Sequence, residues 1–390
     1  MDKMKPRERV LKALEHKEPD RVPISFSGTV NTNIVECPPN DRVYTQLCEY
    51  LGIKDFEPPK VGEAFNQVMN VDERIKQKFG SDLRFVLPSI PEATVEPDGT
   101  KTWEALCGMR IKKFGLYDEP FDFPMRNWTS RKDIENYPYW PDPGEIDIAK
   151  GKREEARNLR ENTDYAIVGE PTYPLFPFNG YGYLSGLEKW LIDMKLRPDF
   201  YFALSDKLLE IALAMDDKFL DAVGEYLDIV EIYDDLGTQE ALLFSHADYV
   251  KFYKPYTKQI IEGIKKKHPH IKILFHSCGS VYEAIPDLIE IGVDILNPVQ
   301  PLARNMEPWR LKKEFGKELC FCGGVDIQKL LPRGTSQQVR EGVKKVIEQY
   351  APGGGYILAT SHNIEPDTPP ENIVAMFEAA QQYGKYPISC

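Results

Sequence analysis

From about residue 150 onward, short apolar segments alternate with longer amphipathic ones, and this alternation constrains the fold more than any other feature of the sequence. The apolar segments have the length of buried strands, and the amphipathic segments have the period of helices. Strands that alternate with helices build a parallel sheet, because each helical crossover returns the chain to the same end of the sheet. The predicted strands are residues 165–169, 228–233, 271–275, 295–296, 319–322 and 355–359. The predicted helices of the same region are residues 152–162, 187–194, 198–224, 249–267, 281–291, 309–315, 337–350 and 371–383.

At least six such β/α units follow one another, which favours a closed barrel over an open sheet. An open dinucleotide-binding sheet would carry a Gly-x-Gly-x-x-Gly turn after its first strand, and the sequence has none there. We therefore predict an α/β fold, a (β/α)8 TIM barrel with an N-terminal elaboration, in one domain over residues 1–390. Residues 1–150 would supply N-terminal helices, a first strand near residue 24 and an excursion that includes a hairpin at residues 100–113. Residues 151–390 would supply the regular units.

One predicted strand ends in the pair His276 and Cys278, followed by Gly279. Residues two apart in a strand point to the same side, so the imidazole and the thiol would emerge together. These are the ligand groups that zinc prefers, and Gly279 would let the backbone turn into the next helix. The alternative is that Cys278 is a small buried apolar residue.

Further polar residues follow the other predicted strands, and in a barrel these strand ends form the active-site face. His362 is the best third ligand, because it ends the last strand, although it could also be a hydrogen-bonded turn residue. Glu170 is a fourth ligand, a catalytic base or a helix cap. Asp234 and Asp235 are adjacent and face opposite ways, and we expect Asp235 to point toward the barrel axis. The strand-end set comprises Glu170, Asp234, Asp235, Gln239, His276, Cys278, Asn297, Gln300, Asp326, His362 and Asn363.

Two other groups of residues are interpreted differently: we assign the first to the core and leave the role of the second open. Cys320 and Cys322 share the i, i+2 spacing but lie within a predicted strand, so we assign them to the core. An aromatic segment follows the strand at residues 165–169 and would form a loop. It could cover a flat substrate or simply pack on the barrel rim. Its members are Tyr173, Phe176, Phe178, Tyr181 and Tyr183.

Composition excludes several classes of protein. The formal net charge is −12, from 49 basic and 61 acidic residues, which argues against nucleic acid as a partner. No apolar run approaches the length of a membrane span, and the N-terminus has no signal core, so we expect a cytoplasmic protein. The seven cysteines are odd in number and scattered, which indicates thiols or ligands rather than disulfides. The sequence does not fix the oligomeric state, and a homodimer is among the states that it allows.

The sequence resembles the uroporphyrinogen decarboxylase-like barrels over most of its length. The resemblance rests on five motifs and a closing segment over residues 354–372. The motifs are Glu18-Pro19-Asp20-Arg21-Val22-Pro23, Asp235-Leu236-Gly237-Thr238-Gln239, His276-Ser277-Cys278-Gly279, residues 292–300 and Gly323-Gly324-Val325-Asp326.

Within this superfamily, the chain departs from the decarboxylases that act on porphyrinogens. Those enzymes follow the Asp-Arg-Val-Pro motif with an Arg-Gln-Ala-Gly-Arg run, and here residues 24–29 read Ile-Ser-Phe-Ser-Gly-Thr. The His-x-Cys-Gly motif instead resembles the zinc-dependent, corrinoid-linked methyltransferases, in which a His, a nearby Cys and a later Cys bind zinc. His362 stands where the later Cys would be, and the decarboxylases also carry a His there.

The resemblance implies a zinc-dependent methyltransferase that moves a methyl group between a small thiol or methyl ether and a corrinoid protein. Zinc would be held by His276, Cys278 and His362, and Glu170 and Asp235 would be catalytic. Gln239, Asn297 and Tyr181 would position the substrate. The corrinoid-binding signature Asp-x-His-x-x-Gly is absent, so the corrinoid would arrive on a partner protein. The alternatives are a metal-free decarboxylase acting on a tetrapyrrole or another carboxylate-rich substrate, which predicts a basic cleft, and a non-catalytic corrinoid-binding or scaffold barrel.

Overall fold

The computed structural model of the protein describes residues 4–36, 42–62, 68–103, 107–171 and 177–388. Its first part combines short helices with one strand of the main sheet and a separate group of four strands. In chain order these are α1 (Pro6–Leu14), α2 (Val43–Tyr50), α3 (Glu73–Phe79), β1 (Leu83–Val86), β2 (Thr94–Val95), β3 (Lys101–Trp103), β4 (Met109–Phe114), β5 (Tyr117–Pro120) and α4 (Arg131–Glu135).

The second part alternates strands and helices as the hydrophobic pattern predicted. A π-helical turn at Tyr249–Tyr253 precedes α10. The elements are α5 (Lys152–Asn162), β6 (Ala166–Gly169), α6 (Pro177–Ser185), α7 (Leu187–Leu196), α8 (Pro198–Val223), β7 (Ile229–Tyr233), α9 (His246–Asp248), α10 (Lys254–Lys267), β8 (Lys272–His276), α11 (Ile285–Glu290), β9 (Ile295–Asn297), α12 (Pro308–Phe315), β10 (Cys320–Val325), α13 (Leu330–Arg333), α14 (Ser336–Tyr350), β11 (Tyr356–Thr360) and α15 (Pro370–Tyr383).

The main sheet has seven parallel strands in the order β1-β6-β7-β8-β9-β10-β11, and it curls into a barrel. The extended segment at residues 22–26 occupies the eighth position, between the two sheet edges. On one side, Ser25 N–H donates to the carbonyl of Leu358 at 2.9 Å. On the other, Asp82 N–H donates to the carbonyl of Ile24 at 2.8 Å. The predicted α/β barrel is therefore confirmed.

The barrel interior is filled by alternate residues of the strands, as a period of two requires. This interior core consists of Leu83, Ala166, Val168, Ile229, Leu274, Ile295, Cys320, Cys322, Ile357 and Ala359, with Val10 and Leu14 of α1. Cys320 and Cys322 are therefore core residues, as predicted. Val10 and Leu14 close the barrel at the N-terminal ends of the strands, where Gly355 N–H donates to the carbonyl of Ala13 at 2.8 Å.

A buried ion pair ties α1 to the junction of the barrel. Arg9 is 1% exposed, and its guanidinium contacts Asp82 at 2.6 Å and Asp20 at 2.6 Å. Asp82 also accepts hydrogen bonds from Arg21 at 2.8 Å and from the backbone N–H of Ile24 at 2.9 Å. The Asp20-Arg21-Val22-Pro23 motif thus holds the eighth segment in place.

The four strands β2 to β5 form an antiparallel sheet, which confirms the hairpin predicted at residues 100–113 and extends it on both sides. Gly115, with φ of 65°, allows the tight turn between β4 and β5. The hydroxyl of Tyr117 donates to Glu365 Oε1 at 3.1 Å, and Glu365 follows the last barrel strand. The small sheet therefore borders the barrel mouth. Among the described helices, none is both long enough and apolar enough to cross a bilayer.

Candidate active site

The interior-facing positions turn from apolar to polar toward the C-terminal end of the barrel. Leu274 belongs to the interior core, so His276 and Cys278, two and four residues later, project above it. In the same way, Asn297 lies above Ile295, and Glu170 lies above Val168. These polar groups therefore meet at the barrel mouth.

The three predicted metal ligands come together there. One potential ligand atom each from His276, Cys278 and His362 lies within 4.8 Å of the other two. Cys278 Sγ is 3.6 Å from His276 Nε2, and the two imidazole ring centroids are 5.7 Å apart. One metal ion could contact all three atoms, since its bonds to nitrogen and sulfur are about 2.0–2.3 Å long.

Asn297 fixes the tautomer of His276. The Asn297 amide nitrogen donates to the carbonyl of Cys322 at 3.1 Å, so its oxygen is the acceptor left for His276 Nδ1 at 2.5 Å. His276 Nδ1 must then carry the proton, and Nε2 presents its lone pair toward Cys278. A polar partner on the far nitrogen is what orients a metal-binding histidine.

The loops after β7 and β8 pack tightly and place Asp235 beside Cys278. Asp235 Oδ1 accepts the backbone N–H of Cys278 at 2.8 Å. Gly279 has a φ of 79°, and a Cβ atom there would lie 2.5 Å from the carbonyl oxygen of Gly237. Only glycine fits such an approach, which explains the last residue of the His-x-Cys-Gly motif.

Burial sets the charge states of the three donors. It lowers the pKa of His276 and, together with the neighbouring His276, lowers the pKa of His362 to about 4. Burial and then the Asp235 carboxylate raise the pKa of the Cys278 thiol. Two neutral imidazoles and a thiol beside an acid fit a divalent cation, which would stabilise the thiolate and balance Asp235.

A small cavity of about 60 Å³ lies next to these donors, as bounded by the described residues. It is lined at the strand ends by Glu170, Tyr233, Asp235, His276 and His362, and elsewhere by Val30, Asn31, Asn179, Tyr183 and Asn363. This described lining contains no lysine or arginine. Because pockets for drug-sized ligands measure about 300–1,000 Å³, the cavity suits a small substrate.

Tyr181 does not lie where substrate contact was predicted. The aromatic segment is helical from Pro177 and not a loop, because α6 begins there, so Tyr181 and Tyr183 face opposite sides. The Tyr181 side chain is buried, and its hydroxyl donates to Asp193 at 2.7 Å. Tyr183 lines the cavity instead. Tyr173 and Phe176, like the side chain of Phe178, fall outside the described part of the chain.

Two further predicted substrate residues support the site from outside the cavity. Gln239 Nε2 donates to Gln300 Oε1 at 2.7 Å, and the same oxygen accepts the N–H of Gly279 at 3.1 Å. Gln239 therefore braces the loop behind Cys278. Asn297 is fully buried and contacts His276, so it orients a candidate metal-binding side chain instead of contacting the substrate.

Glu231, beside the cavity, is an acid that the sequence analysis missed, as it missed the lining residues Val30, Asn31, Asn179 and Tyr233. It lies in the middle of β7, is 1% exposed, and accepts a hydrogen bond from the Asn31 side chain at 3.0 Å. An acid on the interior face of an otherwise apolar strand was the available signal, because an unpaired buried carboxyl group is costly. Asp234 behaves as expected for the outward-facing member of its pair and accepts the N–H of Asn179 on α6 at 2.8 Å.

Comparison with known proteins identifies the family. A family model described as uroporphyrinogen decarboxylase (URO-D) matches residues 177–383, just over half of the chain. The chain therefore belongs to the uroporphyrinogen decarboxylase family, a class of barrel enzymes.

Curated relatives agree with this assignment, and a solved structure shares the fold. The uroporphyrinogen decarboxylase of Vesicomyosocius okutanii is 28% identical over 159 residues, which is 40% of this chain and 43% of that protein. The Chloroherpeton thalassium enzyme is 28% identical over 46% of this chain and 49% of its own length. The match thus spans about half the length of these relatives. A methyltransferase from Methanosarcina mazei superposes with a TM-score of 0.68 at 17% identity, covering 97% of this chain and 99% of that one, and so shares the fold.

Proposed function

We propose that the protein is a zinc-dependent methyltransferase that moves a methyl group between a small thiol or methyl ether and a corrinoid carried by a partner protein. The observation that carries this proposal is the convergence of His276, Cys278 and His362 beside a small cavity. Catalytic zinc sites use three protein ligands and keep a fourth position for substrate, and this donor set matches that rule.

His276 Nε2, Cys278 Sγ and one ring nitrogen of His362 would hold the zinc ion. When bound, zinc supplies Lewis acidity, which lowers the pKa of a thiol or polarises an ether oxygen. Asn297 keeps the Nε2 lone pair of His276 available. Asp235 anchors the backbone of Cys278 and, as part of the cavity lining, would position the substrate.

The remaining lining groups would select and orient the substrate. Tyr183, Asn179 and Asn31 reach the cavity from outside the strands and offer hydroxyl and amide groups. Glu170, which follows the strand next to the one that precedes Asp235, also lines the cavity and would exchange a proton with the substrate heteroatom. A thiol ligand such as Cys278 is best preserved in a reducing compartment, which suits the cytoplasm.

A corrinoid partner is supported by the resemblance of the His-x-Cys-Gly motif to corrinoid-linked methyltransferases. The corrinoid's cobalt would donate or accept the methyl group, and the barrel would supply position and electrostatics. The solved Methanosarcina mazei protein, named a methyltransferase, has the same fold over nearly its whole length.

Decarboxylation of a carboxylate-rich substrate is the second candidate, favoured by the names of the curated relatives. It calls for a basic cleft. The described lining holds the acids Glu170 and Asp235 and contains no lysine or arginine. These features favour methyl transfer.

Metal analysis of the purified protein tests the proposal. We expect one zinc ion per chain in the wild type and a loss of zinc in the Cys278→Ala variant. Cys320→Ala is the matched control, because Cys320 Sγ also lies 3.6 Å from a histidine nitrogen, that of His16, but belongs to the core. Equal zinc in the wild type and Cys278→Ala would refute the proposal.

A further inference from the structure

Glu170 and Glu231 are register neighbours on adjacent strands. Val168 pairs with Ile229 and Gly169 with Val230, so the next pair along β6 and β7 is Glu170 and Glu231. Neighbouring strands lie about 4.8 Å apart, and both side chains point into the barrel as Val168 and Ile229 do. The fold therefore sets two carboxyl groups side by side.

This carboxyl pair is buried, and no described lysine or arginine balances its charge. Glu170 is 3% exposed and Glu231 is 1% exposed. The Oε2 atom of each has no hydrogen-bond partner among the described residues. No lysine or arginine is among the described groups that act on the charge of either carboxyl group. Two ionised carboxylates this close would repel each other strongly in a buried site, so one proton stays between them.

The surroundings decide which member carries the charge. Glu231 Oε1 accepts a hydrogen bond from the side chain of Asn31 at 3.0 Å, which favours the ionised form of Glu231. No hydrogen-bond donor reaches Glu170 Oε2 from the described residues, and Glu170 is the member that lines the cavity. The proton therefore belongs to Glu170, on the side of the substrate.

We propose that Glu170 and Glu231 share one proton and that Glu170 is the general acid that protonates the leaving oxygen of a methyl ether, which makes a methyl ether rather than a thiol the substrate. This inference rests on the proposed function and deepens it. An ether oxygen leaves as a poor alkoxide unless it is protonated, whereas a thiol must lose a proton when it binds zinc and would need a base.

The charge states agree with this assignment. Burial, followed by the charge of Glu231, raises the pKa of Glu170 well above its usual value. Burial raises the pKa of Glu231 to about 7, against the lowering effect of Asn31 and Thr29. Near neutral pH the pair therefore retains at least one proton. The other ionisable groups that face the pair or its cavity are Cys322, Tyr183, Tyr233, Asp235, His276 and His362.

The proposed step balances in atoms and electrons. The methyl carbon accepts the electron pair of its nucleophile, the reduced corrinoid of the proposed function, as its bond to the ether oxygen breaks. The oxygen keeps the electrons of that bond and takes the proton of Glu170, so the product is an alcohol. The carboxyl pair, now doubly anionic, regains its proton from water.

The first experiment reads the shared proton without any turnover. Infrared difference spectroscopy of the zinc-loaded protein, titrated from neutral to alkaline pH, detects the carbonyl stretch of protonated carboxyl groups. We expect Glu170→Gln to remove one such band. Glu231→Gln should shift the titration of that band to lower pH by about one unit or more, because a like charge is removed. An unmoved titration in Glu231→Gln would overturn the shared proton.

Asp216 supplies the matched control. It is a buried carboxyl group of α8 whose pKa burial raises well above its usual value, and it lies outside the proposed active site. Asp216→Asn should remove its own band and leave the titration of the carboxyl pair in place. Glu231→Gln keeps the test decisive if Glu170→Gln fails to fold.

The second experiment separates the substrate inference from the proposed function. Zinc-loaded protein is given cob(I)alamin with guaiacol in one arm and methylcobalamin with mercaptoethanol in the other. We expect demethylation of guaiacol, slowed by roughly 100-fold to 10,000-fold in Glu170→Gln, the usual range for loss of a general acid. Methylation of mercaptoethanol alone would overturn the ether assignment but keep the methyltransferase. No turnover in either arm, with the infrared result intact, would count against the proposed function and leave the carboxyl pair standing.

Discussion

Asn297 Oδ1 lies 2.5 Å from His276 Nδ1, and this single contact decides which ring nitrogen of His276 faces Cys278. Asn297 can play this part because its amide nitrogen is engaged by the carbonyl of Cys322 on the next strand. The orientation of a proposed zinc ligand thus depends on hydrogen bonds that span three adjacent barrel strands.

Removal of this orienting group should weaken zinc binding. We expect Asn297→Ala to reduce zinc affinity about 10-fold to 100-fold, the usual effect of losing a partner behind a metal-binding histidine. Competition with a chromophoric chelator measures the affinity. Asn372→Ala is the control, since Asn372 is also buried and bonded to backbone carbonyls but lies on α15. Equal losses in both variants would indicate general destabilisation instead.

The buried ion pair of Arg9 should be important for stability. Asp82→Asn leaves a buried guanidinium with one carboxylate partner fewer, and we expect a loss of about 3–5 kcal/mol in the free energy of unfolding. Urea denaturation measures this loss. Asp164→Asn breaks the exposed pair with Lys5 and should change stability by less than about 1 kcal/mol. A loss for Asp82→Asn no larger than that would contradict the assignment.

Asp216 should make stability depend on pH. Its carboxyl group is buried in α8, neither oxygen has a hydrogen-bond partner in the described part of the chain, and burial raises its pKa well above the usual value. A raised pKa in the folded state contributes stability that is complete below the pKa of the unfolded chain. That contribution is lost as the pH rises toward the folded value. Asp216→Asn should therefore flatten the fall of the melting temperature between mildly acidic and alkaline pH.

The outcome that would count against this prediction is an unchanged slope of melting temperature against pH. Glu240→Gln serves as the control, because Glu240 is exposed and replacing it should leave the slope as in the wild type.

Loss of the hydroxyl group should lower stability at Tyr181 and change the kinetics at Tyr183. Tyr181→Phe removes the buried hydrogen bond to Asp193 and should cost about 1–3 kcal/mol of stability. Tyr183→Phe alters the cavity lining and should change KM or kcat in the guaiacol assay while zinc content stays at one ion per chain. Denaturation and steady-state kinetics on both variants check this; a kinetic defect confined to Tyr181→Phe would reverse the two roles.

The barrel and the cluster of His276, Cys278 and His362 could be predicted because they depend on local patterns and on closure of the barrel. The alternation of strands and helices fixes a parallel sheet, and the i, i+2 spacing of His276 and Cys278 fixes a shared side. The position of His362 follows from closure of the barrel, which brings the last strand end to the same mouth.

The remaining features depend on contacts between distant segments. Gln239 braces a loop because it meets Gln300, 61 residues later, and no local pattern encodes that pairing. Tyr181 was predicted to position the substrate and its segment to form a loop, but the segment is helical, and Tyr183 reaches the cavity instead. Glu231 lies within a predicted strand, and its pairing with Glu170 can be recognised only from the register of β6 and β7.

Val10 and Leu14 of α1 close the barrel at the N-terminal ends of its strands, so ligands would enter and leave at the opposite end. A small substrate and a cofactor carried by a partner protein would have to approach through the same barrel mouth. A docked partner would block this opening. The substrate would therefore have to bind before the partner docks, and the product would leave after the partner dissociates.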